Sequence, residues 1–333
     1  MKITPSISMT PILFDETTLA EARRFNRKLA WAPRFKIRNR FTPLVIQSLL
    51  RLSQIGGTKK LERQGLAVEQ RRIAIDGMQA AVRIIRPPGP VQGVIFDVHG
   101  GGWVIGNAQM DDAANAAMAV HCSVAVVSID YRLFGHTPIQ GLMTDVLTAA
   151  RWLLGGGLPE YTGLPVIFVG ESAGGHLAAA TLLQLKAWPE LLRRVKGAVL
   201  YYGVYDLLGT SSVREAGPDT LVLDGPGMAP ALRMLTPDLS DAERQQAPLS
   251  PLYGDFEDLP PALMFVGLLD PLRDDTLEIT KRWAKHANVE THLVPDAPHG
   301  FIHFPIRMAE QTLAYSRQWI RRCIENPLST PLC

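Results

Sequence analysis

The sequence predicts an α/β fold with a mainly parallel, doubly wound β-sheet that is covered by helices on both faces. Short apolar runs alternate along the chain with longer stretches of helical periodicity. This alternation is typical of strand-helix-strand units, in which the connecting helices shield the sheet from water. The chain has 333 residues, of which 47% are hydrophobic, so it can bury one large core that carries insertions.

Residues 15–64 are predicted to form short amphipathic helices. Apolar side chains recur among charged ones at helical spacing, and Pro33 and Pro43 interrupt the pattern. The next segment alternates apolar and polar residues on both sides of the pair Asp76-Gly77. A β-hairpin is therefore expected where the sheet begins, because this pair favours a two-residue turn.

Further strands and helices are predicted beyond the hairpin. The strands are expected at 94–98, 124–129, 166–169, 198–201, 262–266 and 291–294. The helices are expected at 111–120, 139–154, 174–186, 274–286 and 306–325. Residues 203–260 are rich in Gly and Pro and interrupt this rhythm. We interpret them as an insertion above the carboxyl ends of the strands, where α/β folds bind ligands.

Composition and charge narrow the classes of protein. Cys122, Cys323 and Cys333 are far apart, which suits a reducing compartment better than a disulfide framework. No apolar stretch resembles a signal peptide or reaches the roughly 18 residues of a membrane span. Residues 1–72 are basic and the remainder is acidic, which we interpret as a solvated face packed on an acidic body. We therefore expect a cytoplasmic protein with no membrane span and no nucleic-acid partner.

A serine lies between a predicted strand and a predicted helix. The sequence GESAG at 170–174 follows the strand 166–169, and Ser172 is its central residue. Small residues are needed two positions before and after the serine, because larger side chains would collide with the strand and the helix. This context predicts a nucleophilic serine.

A glycine-rich turn and two polar side chains follow other predicted strands. HGGGW at 99–103 offers backbone amides that are suited to stabilise the negative charge of a tetrahedral intermediate. His299 is expected to accept the proton of Ser172, and Asp270 is expected to hold the imidazole in the required tautomer. Both residues follow strands, so they are predicted to lie at the same edge of the sheet as the serine.

Other candidate catalytic or ligand-binding groups are interpreted as structural. Asp274 and Asp275 are alternatives to Asp270, but they fall in the first turn of a helix, where the helix dipole favours carboxylates. His299 and His303 are spaced like metal ligands, yet the surrounding Phe and Pro indicate a loop, and the HExxH helix motif is missing. No complete nucleotide-binding glycine motif occurs. We therefore expect no metal and no other cofactor.

Together these motifs resemble those of the hormone-sensitive-lipase family, which is bacterial family IV of the α/β-hydrolase esterases. The resemblance rests on HGGGW at 99–103, DYR at 130–132, GESAGG at 170–175, DPLRDD at 270–275 and HGF at 299–301. It runs from about residue 70 to the C terminus. It implies a serine esterase with an α/β-hydrolase fold and a helical cap.

The resemblance also implies roles for particular residues and segments. The implied triad is Ser172, Asp270 and His299, and the implied oxyanion hole consists of the amides of Gly101, Gly102 and Ala173. Residues 1–70 and 203–260 would form the cap over a catalytic core of residues 71–202 and 261–333. Members of the family often act on short or medium acyl esters, and many form homodimers.

The chain departs from the family pattern at three places. Glu171 replaces the usual Asp before the nucleophile, and residues 133–138 differ from the usual Ala-Pro-Glu-His type of stretch. His176 stands where Asn is common, and we interpret it as a supporting or helix-surface residue. Arg132 and Asp145 are expected to form a structural ion pair.

The sequence thus predicts a cofactor-independent carboxylic ester hydrolase that works through an acyl-enzyme on Ser172. Two alternatives remain open. A small-molecule receptor could keep the fold after losing turnover, and an amidase or a carbamate hydrolase would use the same triad. The small-molecule ester itself is selected by the shape of the pocket, which the motifs do not define.

Overall fold

A mixed β-sheet forms the centre of this computed structural model, which describes residues 7–8, 12–36 and 41–326. Within these residues the strands are β1 (Ile7–Ser8), β2 (Ala67–Ile75), β3 (Met78–Arg86), β4 (Gly93–Val98), β5 (Val124–Asp130), β6 (Val166–Glu171), β7 (Val195–Tyr201), β8 (Ala262–Gly267) and β9 (Val289–Val294). Their spatial order is β1-β9-β8-β7-β6-β4-β5-β3-β2. In the described sheet only the pairs of β3 with β2 and with β5 are antiparallel, so the predicted mainly parallel sheet is confirmed.

Helices cover both faces of the sheet. They are α1 (Glu16–Leu29), α2 (Phe41–Ser53), α3 (Gly57–Arg63), α4 (Asp112–Cys122), α5 (Ile139–Leu154), α6 (Ala173–Gln184), α7 (Pro189–Leu192), α8 (Ser211–Arg214), α9 (Met228–Met234), α10 (Asp241–Arg244), α11 (Arg273–Trp283) and α12 (Arg307–Glu325). One apolar cluster packs α5, α6 and α11 on the sheet, and it includes Phe96 of β4. A second cluster packs α4 and α12, and it includes Ile95. Successive residues of a strand face opposite sides, so each face has its own core. The predicted helices are therefore confirmed, with ends that differ by a few residues.

The first two long strands form the predicted hairpin. Ile75 of β2 pairs with Met78 of β3, which leaves a turn of two residues. Asp76 and Gly77 in this turn have φ values of 49° and 76°. A type I′ turn requires positive φ at both positions, and this requirement explains why an Asp-Gly pair marks the hairpin.

The two prolines of the amino-terminal segment occupy different positions. Pro33 follows the end of α1, so the predicted break at this residue is confirmed. The predicted break at Pro43 is wrong, because Pro43 lies in the first turn of α2. Proline is tolerated there, since the first N–H groups of a helix have no partner within the helix.

Three smaller expectations are also tested by the fold. Cys122 and Cys323 are buried free thiols, whereas Cys333 lies outside the described residues. Arg132 and Asp145 form the expected ion pair, with Arg132 Nη2 at 2.7 Å from Asp145 Oδ1. In the part of the chain that the structure describes, each helix is too short or too polar to cross a bilayer.

Residues 202–261 connect β7 to β8 outside the sheet and contain α8, α9 and α10; we call this segment the excursion. Asp275 of α11 is fully buried and anchors this excursion. Its Oδ1 accepts hydrogen bonds from the amides of Tyr205 (2.6 Å) and Asp206 (3.0 Å), and its Oδ2 accepts one from Thr210 Oγ1 (2.6 Å). The neighbouring Asp274 accepts a further amide hydrogen bond from the excursion. These contacts agree with the structural role expected for both carboxylates.

The amino-terminal segment meets the same excursion through a short parallel bridge. Phe35 N donates a hydrogen bond to Val222 O (2.6 Å), and Asp224 N donates one to Phe35 O (3.3 Å). Lys36 Nζ lies 3.0 Å from Asp224 Oδ1 and forms an ion pair with it. Two segments that are distant in sequence therefore form one continuous layer.

Replacing Asp275 with Ala should lower the free energy of unfolding by about 3 to 5 kcal/mol, because three donors lose their buried acceptor. Asp275→Asn keeps the shape and one acceptor oxygen, so a loss of about 1 kcal/mol is expected. Urea unfolding curves measure both losses. Asp274→Ala is the matched control at a partly exposed position, and a loss as large as that of Asp275→Ala would contradict the anchoring role.

Candidate active site

Ser172 occupies a strained turn between β6 and α6. Its φ of 51° and ψ of −119° lie outside the regions that non-glycine residues prefer. A Cβ atom on Gly174 would lie 1.9 Å from Val98 O, and one on Gly170 would lie 2.6 Å from Gly174 O. Only glycine fits at these two positions, in agreement with the steric argument made from the motif.

A chain of hydrogen bonds runs from Ser172 to a buried carboxylate. His299 Nε2 lies 2.9 Å from Ser172 Oγ, and His299 Nδ1 lies 2.9 Å from Asp270 Oδ2. Asp270 is 3% exposed, and its Oδ1 accepts a hydrogen bond from Leu272 N (2.9 Å). When Nδ1–H donates to this carboxylate, Nε2 faces the serine hydroxyl as an acceptor. The structure thus brings together three residues that the sequence places far apart.

The loops that carry the acid and the histidine are packed against each other. A Cβ atom on Gly267 would lie 1.9 Å from Ala297 O, and Leu269 N donates a hydrogen bond to the same carbonyl (3.1 Å). Asp296 in the histidine loop accepts a hydrogen bond from Arg23 Nε of α1 (2.9 Å). These contacts fix the separation between the carboxylate and the imidazole.

The glycine-rich turn after β4 lies beside the serine. Gly101, Gly102 and Trp103 have φ values of 102°, 58° and 63°. Successive amides in a turn of this kind form a concave site for negative charge. Gly102 and Ser172 line the same cavity. Ala173 is the first residue of α6, so its amide has no acceptor within the helix and points toward the positive end of the helix dipole.

The cavity at Ser172 has a volume of about 120 Å³ and mainly apolar walls. The amino-terminal segment contributes Phe35, and the excursion between β7 and β8 contributes Leu223, Met228 and Leu232. The ion pair of Lys36 and Asp224 forms the polar part of the wall. The serine hydroxyl therefore faces a small apolar space with one charged edge.

A second group of polar side chains lies behind the Ser172 turn and was not assigned from the sequence. Glu171 is 7% exposed and accepts hydrogen bonds from Tyr202 Oη (2.8 Å) and His303 Nε2 (2.6 Å). Burial raises the pKa of Glu171, but the charge of His303 and these hydrogen bonds lower it to about 2. The carboxylate of Glu171 in turn raises the pKa of His303 to about 9. Glu171, the residue before Ser172, is thus held as a carboxylate in an ion pair.

Two more buried carboxylates lie next to Glu171. Asp97 of β4 accepts hydrogen bonds from Asn115 Nδ2 and Ser128 Oγ, both at 2.8 Å, and burial raises its pKa to about 6. Burial and then the charge of Glu171 raise the pKa of Asp111 well above its usual range. The sequence did offer one signal for this group, because Asp97 interrupts an otherwise apolar strand.

His176 is fully buried, so of its two expected roles the one on the helix surface is wrong and the supporting one remains. Its Nδ1 accepts a hydrogen bond from Trp103 Nε1 (3.3 Å), and its Nε2 donates one to Leu249 O (2.8 Å). The ring therefore joins the glycine-rich turn to the excursion between β7 and β8. Burial lowers the pKa of His176 to about 4, so the ring is neutral at pH 7.

The fold is that of an α/β-hydrolase. Ser172, His299 and Asp270 are joined by hydrogen bonds at the edge of its sheet. A family model for the α/β-hydrolase fold matches residues 95–303. The carboxylesterase NlhH of Mycobacterium tuberculosis is 31% identical over 256 residues, which cover 72% of this chain and 77% of that protein. The esterase LipI of the same organism is 31% identical over 261 residues, with coverages of 74% and 79%.

Two solved structures are similar over most of their length. The esterase LipW of Mycobacterium marinum has a TM-score of 0.76 and 25% identity, and the match covers 89% of this chain and 94% of LipW. A bacterial esterase of the hormone-sensitive-lipase family has a TM-score of 0.72 and 26% identity, with coverages of 94% and 100%. The chain therefore belongs to the hormone-sensitive-lipase family of α/β-hydrolases, and it is a carboxylic ester hydrolase. The resemblance found in the sequence is confirmed.

Replacing His176 with Asn should flatten the pH dependence of stability between pH 6.5 and pH 4. The unfolded chain takes up a proton on this ring below about pH 6.5, whereas the folded protein does so only near pH 4, so acid favours unfolding. The wild type should therefore lose roughly 3 kcal/mol more than the variant across this interval. Urea unfolding at a series of pH values measures the difference.

The exposed His286 provides the control for this measurement. His286→Gln changes an exposed side chain and should leave the pH profile parallel to that of the wild type. Parallel profiles for His176→Asn and the wild type would contradict the buried, neutral state of His176.

Proposed function

We propose that the protein hydrolyses short- to medium-chain carboxylic esters through an acyl-enzyme formed on Ser172. The observation that carries the proposal is the continuous chain of hydrogen bonds from Ser172 Oγ through His299 to Asp270, beside an apolar cavity. This arrangement supplies a nucleophile, a base within proton-transfer distance and a buried group that orients the base.

In the first half of the proposed reaction, His299 Nε2 accepts the proton of Ser172 while Oγ attacks the carbonyl carbon of the ester. Asp270 stabilises the imidazolium that forms. The imidazolium then donates its proton to the leaving alcohol. In the second half, a water molecule gives its proton to His299 and attacks the acyl carbon, which releases the acid and restores the serine.

The negative charge of the tetrahedral intermediates is assigned to the amides of Gly101, Gly102 and Ala173. Two features support this assignment. Gly101 and Gly102 lie in a turn with positive φ, and Ala173 is the first residue of α6. Such donors are fixed before the substrate binds, so they stabilise the developing charge without reorganisation.

The short-chain preference is inferred from the cavity at Ser172. Its volume of about 120 Å³ is below the several hundred cubic ångströms of typical ligand pockets. Residues 1–70 and 203–260 are proposed as the cap, over a catalytic core formed by residues 71–202 and 261–333. The bridge of Phe35 to residues 222–224 supports a cap built from two segments, because it closes the apolar wall of the cavity.

Ser172→Ala should lower kcat for p-nitrophenyl butyrate by about 10⁴- to 10⁶-fold, because no acyl-enzyme forms without the hydroxyl. A fluorophosphonate should label the wild type once per chain, with the label on Ser172, and should leave the variant unlabelled. Full turnover by a folded Ser172→Ala variant would remove the proposed mechanism. Absence of both labelling and turnover in the wild type would favour a receptor on the same fold.

The proposed role of Asp270 is tested with the same assay. Asp270→Asn should reduce kcat by about 10⁴-fold, because the amide stabilises the wrong tautomer of His299. Asp274→Asn, only four positions away and joined to the excursion, is the matched control and should remain active. Parallel rates on an ester and its amide analogue separate the esterase from an amidase.

Chain-length preference should follow the cavity wall. For p-nitrophenyl esters from acetate to laurate, kcat/KM should reach its maximum at a short or medium acyl chain and fall at laurate. Leu232→Ala enlarges the cavity and should move this maximum toward longer chains. Met234→Ala, at an exposed position of the same helix, should leave it unchanged. A maximum at laurate in the wild type would contradict the preference.

A further inference from the structure

A second, smaller cavity lies behind the nucleophile turn. Its volume is about 30 Å³, which is sufficient for one ion or one water molecule. The polar side chains in its wall are Asp97, Asp111, Asn115, Glu171, His303 and Arg317. Ser172, Asp270 and His299 are absent from this wall, and Ser172 lines the larger cavity described above, so the two cavities are separate.

Three of these side chains converge on one point. Asp111, Glu171 and His303 each offer a ligand atom, and the three atoms lie within 4.8 Å of one another. Two carboxylates and an imidazole form a ligand set that suits Zn²⁺ and similar transition metals better than Mg²⁺ or Ca²⁺. Two ligand atoms on one tetrahedral zinc ion lie about 3.4 Å apart.

Small movements would bring the ligand atoms to this spacing. The contact of His303 Nε2 with Glu171 Oε2, at 2.6 Å, must open by less than about 1 Å, and the longest separation must shorten by somewhat more than 1 Å. The side chain of His303 is 40% exposed, so it has room to move and also gives an ion access from the solvent.

An independent observation points to a ligand in the cavity. Asp111 is 7% exposed, and its buried Oδ1 atom has no hydrogen-bond partner among the described residues. The Oδ1 atom of Asn115 in the same wall is also without a partner there. A buried carboxylate oxygen without a partner costs several kcal/mol of desolvation, so native proteins satisfy such atoms with an ion or an ordered water.

A divalent cation in the cavity would take the place of two protons, because burial and Glu171 raise the pKa of Asp111 and Glu171 raises the pKa of His303. Three carboxylates, those of Asp97, Asp111 and Glu171, face His303 and Arg317 as the basic groups in the wall. Asp97 is already satisfied by Asn115 and Ser128, whereas Asp111 faces the cavity without such donors. A doubly charged ion bound by two carboxylates and a neutral imidazole forms a site with no net charge.

We propose that Asp111, Glu171 and His303 bind one divalent transition-metal ion of the zinc type, with a water molecule as the fourth ligand. The ion joins three parts of the chain. Asp111 lies just before α4, Glu171 just before Ser172, and His303 in the loop after His299. Its role is structural, because none of its ligands touches the ester. The proposal departs from the expectation of no metal, since the ligands pair His303 with two distant carboxylates and not with His299.

The test uses the full chain freed of metal with a chelator and then titrated with Zn²⁺. Calorimetry should detect one tight site per chain, and the temperature of unfolding should rise as this site fills. Asp111→Asn removes one charge at nearly constant shape, and His303→Ala removes the imidazole at a partly exposed position. Each variant should weaken the site by at least about tenfold and abolish the thermal shift.

His286→Ala is the matched control, because it removes an exposed imidazole far from the cavity in sequence. It should retain the tight site. Co²⁺ is a second probe, since a tetrahedral site gives a visible absorption band that should be present in the wild type and lost in both ligand variants. Circular dichroism confirms that each variant is folded.

Two results would overturn the proposal. One is a folded wild type that binds no Zn²⁺ tightly, in which case an ordered water satisfies Asp111. The other is equal binding by the wild type, Asp111→Asn and His303→Ala, which would place the ion at a surface site. Zn²⁺ binding and the temperature of unfolding are measured without ester turnover. Both measurements therefore remain valid if the proposed reaction fails its own test.

Discussion

The site depends on the close approach of a helix to a strand at the turn that holds Ser172. Gly174 in the first turn of α6 lies against the carbonyl of Val98, where any larger residue would force the two elements apart. The same approach holds Ser172 at positive φ, with its side chain at the end of the sheet. A Cβ atom on Gly100 would lie 2.9 Å from Glu171 Oε1, so the glycine-rich turn and the nucleophile turn are fitted together. Steric contact between backbones thus sets the geometry on which the chemistry relies.

The buried charges behind this turn connect the Ser172 turn to the loop that carries His299. Glu171 precedes the serine and His303 follows His299 by four residues, and the ion pair between them crosses 132 positions of sequence. The ring of Tyr202 packs edge-on against His299 at 4.7 Å while its hydroxyl binds Glu171. A buried carboxylate is tolerated only with such partners. The network therefore links the turn that holds Ser172 to the loop that holds His299, while Asp270 contacts the imidazole from another loop.

The walls of the ester cavity come from segments that the sheet does not order by itself. Asp275 fixes the start of the excursion after β7, and His176 fixes its later part through Leu249. The bridge at Phe35 then joins the amino-terminal segment to the excursion. The contacts of Asp275 and His176 satisfy buried polar groups, so the layer is held by specific hydrogen bonds as well as by apolar packing. This explains how a glycine- and proline-rich stretch can form a defined cavity.

Steric fit in a turn and hydrophobic periodicity depend on residues that are close in sequence. The sequence alone therefore determined the strands, the main helices, the Asp76-Gly77 turn and the motif around Ser172. The family motifs added the candidate triad in its order along the chain. Burial and pairing across long separations depend on how the elements pack, and only the tertiary structure decided them. It buried His176 and gathered Asp111, Glu171 and His303 around one cavity, because side chains far apart in sequence acquire their solvation and their partners only when the sheet and helices are assembled.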